Sequence, residues 1–152
     1  MERLSFYFNN SLNTIKQLLK KVASSMRNLF TALLYGWIVM LTLILGSSFL
    51  LALLLRYTTF NEPTLTWVTL VVGLISLFIG GITAGVKGKM KGWLVGGATG
   101  LGFTLLTFLI QYMGFDAAFS LEQSLHHLAY VAAAVFGGII GVNITGQTAA
   151  AR

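Results

Sequence analysis

Four runs of this chain, each long enough to cross a bilayer, carry no Asp, Glu, Lys or Arg, and that pattern limits the fold more than any motif does. About 20 apolar residues span a hydrocarbon core. Because lipid offers no hydrogen bonds, backbone N–H and C=O groups there must pair within the segment, so runs of this length are helices. They fall at about 29–55, 67–86, 92–113 and 125–145, with short connections between them. Hydrophobic residues make up 56% of the chain and charged residues 9%, against about 25% charged in an ordinary soluble domain. The expected class is all-α, a polytopic membrane protein with four transmembrane helices over 29–146. A segment at 1–28 precedes the bundle and a short tail at 147–152 follows it. There is no cysteine, which excludes disulfides, thiolate metal sites and thiol nucleophiles.

The stretch from Gly80 to Gly100 organises the bundle. It is a lysine-bearing turn, Lys87-Gly88-Lys89-Met90-Lys91, with a glycine-rich apolar segment on each side. So tight a turn makes the second and third spans antiparallel neighbours. Gly81 and Gly85 stand four apart before it, and Gly92, Gly96 and Gly100 four apart after it. That spacing lays small residues along one helix face, and within a membrane such faces let backbones approach closely. Gly137 and Gly141 repeat the spacing in the fourth span. The expectation is a glycine zipper with all seven as helix-packing positions.

The two halves of the chain match. Tyr35-Gly36-Trp37-Ile38-Val39 aligns with Lys91-Gly92-Trp93-Leu94-Val95, and Gly80-Gly81-Ile82 with Gly137-Gly138-Ile139. A tandem two-helix repeat in one orientation is expected, related by an axis near the membrane normal.

Nine of the ten Lys and Arg residues flank the amino-terminal segment, the central turn and the tail, leaving Arg56 alone on the other side with Glu62, Asp116 and Glu122. By the positive-inside rule both termini are expected in the cytoplasm. Trp37 and Trp93 are expected near the inner boundary, and Tyr57, Trp67, Tyr112 and Tyr130 near the outer one. The net charge of +6 is thus a membrane-flanking pattern rather than a nucleic-acid patch. Before the first span, Leu12, Ile15, Leu18, Leu19, Val22, Met26 and Leu29 recur at helical spacing with Lys16, Lys20, Lys21 and Arg27 between them. This reads as a basic amphipathic interfacial helix, its Lys16, Lys20 and Lys21 joining Lys87, Lys89 and Lys91 in contact with anionic headgroups or an acidic partner.

The Gly-Gly-Ile-x-x-Gly run of the second span and the Lys-Gly-Trp-x-x-Gly-Gly run of the third, around a basic turn, make the chain resemble the small four-span bacterial proteins of the YrzE-like family. The resemblance implies a four-helix fold in the bacterial plasma membrane and brings no catalytic residues.

Buried ionisable groups mark transport and catalysis within membranes, and no Asp, Glu, Lys, Arg or His lies between Thr31 and Leu55, Trp67 and Val86, Gly92 and Met113, or Ala129 and Thr145. His126 and His127 with Glu122 and Asp116 are the strongest catalytic-looking cluster, yet adjacent helical residues point about 100° apart and do not converge on one ion. An ordinary polar helix start is the expected reading, with no metal and no cofactor. Asn143, Thr145, Gln147 and Gln111 are expected to bond between helices. Gly80 to Lys91 lacks the phosphate-loop spacing. The expected function is therefore non-enzymatic, an accessory or regulatory subunit of a membrane assembly, acting with a membrane-protein partner or as a homo-oligomer. The alternative is a small homo-oligomeric channel or lipid-translocating protein.

Overall fold

The computed structural model describes residues 2–58, 62–88 and 91–150, excepting the side chains of residues 2, 4–6, 8, 62 and 147–150. Lys89 thus lies outside the described residues. Four helices follow one another: α1 (Glu2–Tyr57), α2 (Glu62–Gly88), α3 (Gly92–Phe115) and α4 (Leu121–Ala150). Each is long and apolar enough to cross a membrane, and no strand occurs among the described residues.

The helix ends follow local chemistry more closely than hydropathy. Pro63 stands in the first turn of α2, where a missing N–H leaves no hydrogen bond unmade. Helix α3 ends with Asp116 in the left-handed conformation (φ 49°), its N–H donating to the Tyr112 carbonyl. Helix α4 starts at Leu121 rather than 125 because Ser120 and Gln123 cap it reciprocally. The Gln123 N–H donates to Ser120 Oγ (3.2 Å) and the Ser120 N–H to Gln123 Oε1 (3.0 Å). At its other end α4 continues to Ala150, so helix extends into the expected tail.

Helix α1 has no break near residue 28. It runs for 56 residues, about 84 Å at 1.5 Å per residue, with no proline and no glycine before Gly36. From Leu29 onward it packs on the bundle; the part before that extends past it.

The packing order is α1 on α2, α2 on α4 and α4 on α3, with lesser contact between α2 and α3 and between α1 and α3. Helices α2 and α4 form the centre, and α1 and α4 do not pack together among the described residues. Gly81 faces Ala134 and Gly85 faces Gly138, so α2 and α4 run parallel. Gly92 faces Gly138 while Gly100 faces Val131, so α3 is antiparallel to α4. At most of these positions a methyl group would strike main chain. Gly81 and Gly96 lie against the Ala134 carbonyl, Gly85 and Gly92 against that of Gly138, Gly137 against that of Phe78, and Gly141 against that of Ile82. A Cβ on Gly100 would sit 2.8 Å from the Val131 Cα. Two small clusters fill the remaining space, Ala32 with Ala84 and Val95, and Met40 with Leu77 and Ala134.

Gly81→Ala and Gly137→Ala should each lower the Tm in detergent, since displacing a packed backbone costs about 1–3 kcal/mol. Gly46 meets nothing within 4 Å, so Gly46→Ala should leave the Tm unchanged or raise it slightly. Equal Tm values for all three variants would mean that the helices part freely.

Candidate functional site

The seven glycines singled out by spacing are all buried within the chain. Their faces are occupied by neighbouring helices of the same protein and are closed to a second subunit. Functional surface must therefore be sought at the ends and margins of the bundle.

At the lysine end, Lys87 places its Nζ 4.6 Å from the centre of the Tyr35 ring, a cation–π contact between α2 and α1. Lys91 is exposed at the entry to α3. Lys16, Lys20 and Lys21 lie on the exposed extension of α1. There Leu12, Ile15, Leu19, Val22, Met26, Leu29, Leu33, Gly36 and Met40 succeed one another at alternating intervals of three and four, the spacing of a continuous helix-packing seam. Gly36 and Met40 are buried, and Leu29 packs against Ala32, Ala84 and Val95. Ile15, Leu19, Val22 and Met26 are 52–65% exposed. One apolar stripe thus leaves the bundle in register and continues without a covering element.

At the acidic end the two histidines diverge. His127 turns toward α3, its Nδ1 3.3 Å from Thr104 Oγ1 and its ring stacked on Phe119 at 4.5 Å. His126 faces α2, where it lines a groove of about 220 Å³ with Glu122, Pro63 and Trp67. Among the described residues no three His, Asp or Glu side chains gather at a metal-binding distance. Gln111 braces the α3–α4 connection through Gln123 Oε1 (3.3 Å).

Several hydroxyls of the spans are turned on their own helices. Thr99, fully buried, donates to the Val95 carbonyl at 2.8 Å, and Ser76 to that of Val72 at 2.8 Å. Thr145 likewise donates to the Gly141 carbonyl at 3.1 Å, within α4 rather than across to a neighbour, and Asn143 is exposed. The Gln147 side chain lies outside the described residues.

Two of the aromatics expected at the interfaces turn into the bundle. Trp37 packs on Gly102 of α3, and its buried Nε1 has no hydrogen-bond partner. Tyr130 turns inward over Gly73, edge-on to Phe103 and His127. Tyr57, Trp67, Trp93 and Tyr112 are exposed. Both departures place a large ring opposite a glycine, a pairing between distant positions that no local pattern encodes.

Since the Thr99 hydroxyl bonds only within its turn, Thr99→Val should change the Tm by less than the ~1–3 kcal/mol expected for an orphaned buried polar group. A larger loss would show that this hydroxyl serves a second partner.

Residues 29–141 match the family model described as "Protein of unknown function (DUF3792)". The chain is also 40% identical over 115 residues to the uncharacterized membrane protein YrzE of Bacillus subtilis (strain 168), covering 76% of this chain and 77% of that one. No solved structure matches it.

Proposed function

The chain belongs to the DUF3792 family of membrane proteins, and we propose that it is a non-enzymatic accessory subunit of a membrane assembly. In this reading the four-helix bundle is the anchor and the extension of α1 is the docking arm. The observation that carries it is the apolar stripe from Leu12 to Met26, exposed and in register with the face that α1 buries from Leu29 to Met40.

The register constrains the partner. From Leu29 onward the stripe is covered by α2 and, at Trp37, by α3. A helix lying along Leu12 to Met26 therefore ends beneath Gly88, the end of α2. The unbroken α1 of a second copy, running parallel, would meet that helix end head-on, which favours a different protein over a homodimer through this seam. Residues 9 to 58 contain no Asp or Glu, and Lys16, Lys20, Lys21 and Arg27 flank the stripe. The complementary partner is an acidic amphipathic helix. Lys87 and Lys91, at the span ends, contact anionic headgroups, which puts both termini on the cytoplasmic side of a bacterial plasma membrane.

Native mass spectrometry of protein extracted gently from its own membrane tests this reading. A second polypeptide should accompany the wild type and be lost from the double variant Leu19→Ser, Val22→Ser, whose bundle should keep its Tm. Removing two large apolar side chains from a buried seam should weaken the complex on the order of 100-fold. Wild-type spectra containing only multiples of this chain would refute the accessory role.

A further inference from the structure

The half of the bundle nearest the acidic loops contains a feature that the packing does not explain. Between α1 and α2, where α1 and α4 fail to meet, a crevice of about 160 Å³ opens from the bundle surface and reaches inward to Phe103 and Tyr130. Its walls are mostly apolar, but four of the residues that line it bear hydroxyls, Ser47, Ser48, Thr69 and Tyr130. Ser48 lies nine residues inside the end of α1 at Tyr57, or about 13 Å along the axis. With Tyr57 at the interface, Ser48 sits within the hydrocarbon region, where water is scarce.

Their hydrogen-bonding states differ. Ser47 already donates to the Leu43 carbonyl at 2.7 Å, and Thr69 to that of Leu65 at 2.9 Å. Each of those oxygens is left able only to accept. Ser48 Oγ and Tyr130 Oη make no hydrogen bond among the described residues, so both remain free to donate. The crevice thus offers donors and forced acceptors side by side, with no ionisable cation or anion among its lining groups. A quinone or ester carbonyl would satisfy only the donors. A phosphate would bring a charge to a depth with nothing to neutralise it. A free hydroxyl, which donates and accepts at once, matches both sets.

We infer that this crevice binds the hydroxyl head of an uncharged lipid, either a diacylglycerol or a long-chain prenyl alcohol, whose chains remain in the surrounding bilayer. The volume agrees, since a cavity of about 150 Å³ accommodates a benzene-sized group. The ring of Tyr130 forms the inner wall because residue 73 is glycine. A Cβ there would lie 2.8 Å from that ring and its hydroxyl oxygen. This inference is independent of the accessory role, which concerns the opposite end of the molecule.

The test is retention and thermal shift of the full-length protein with five probes: dioleoylglycerol, a long-chain prenyl alcohol, the O-acetylated form of each, and phosphatidylglycerol. At least one of the free alcohols should raise the Tm and stay bound in native mass spectra, and the stronger of the two identifies the source. Acetylation should reduce retention on the order of three- to tenfold, the loss of one hydrogen bond. Tyr130→Phe keeps the ring and Ser48→Ala alters an exposed position, so both should fold and both should reduce retention of the free alcohol by a similar factor. Ser48→Phe, which fills the mouth, should abolish it. Equal retention of free and acetylated lipids, equal retention of phosphatidylglycerol, or unchanged retention in Tyr130→Phe and Ser48→Ala together would overturn the inference and leave only a groove filled by bulk acyl chains.

Discussion

Contact between backbones along α4 is the constraint on which the rest of the molecule depends. Within a bilayer, burying apolar side chains between helices gains little, because the lipid tails they leave behind are equally apolar. Attraction must come from close packing, and dispersion rewards it only when atoms touch. Ala134 and Gly138 lie against glycines of α2 on one side and of α3 on the other, and Gly137 and Gly141 open α4 further to the main chain of α2. With α2 held on α4, and α3 joined to α2 by a turn of very few residues, three helices are placed together. Helix α1 is then added to α2 through Gly36, Met40 and Gly80.

The four helices and their order were legible in the sequence, because an uncharged run of that length has no other way to satisfy its backbone in lipid. Helix ends were less legible. Hydropathy locates the hydrocarbon core, whereas ends are set by local hydrogen bonds. Ser120-Leu121-Glu122-Gln123 contains a capping pattern that a local reading would have used to begin α4 earlier. The continuity of α1 was also encoded, in the absence of any Gly or Pro before Gly36, but a change from polar to apolar composition at residue 28 suggested a boundary that the backbone does not make.

The assignment of each small residue to a neighbour was not legible. Gly137 and Gly138 are adjacent, yet one meets α2 and the other meets α3, because successive helical residues point about 100° apart. A search for glycines four apart selects Gly137 and Gly141 and passes over the pair Ala134 and Gly138, also four apart, which contacts the glycines of both neighbours. The inward turn of Trp37 and Tyr130 depends on Gly102 and Gly73, each far away in sequence. Such pairings are properties of the packed bundle and have no period that a single chain displays.

A seam closed backbone to backbone also limits where this protein can act. It leaves no lumen along the α2–α4–α3 contact, and its buried hydroxyls are held by the turn that carries them. A conformational change there would have to part several main-chain contacts at once. The two places where packing is incomplete are different in kind, one an apolar stripe extending from the lysine end and the other a hydroxyl-lined crevice toward the acidic end. Both lie on α1, whose backbone among the described residues runs close to α2, less close to α3 and apart from α4. The helix with the fewest commitments to the core is therefore the one that carries both the proposed ligand crevice and the proposed partner seam. Any coupling between the two ends would pass along its single unbroken backbone.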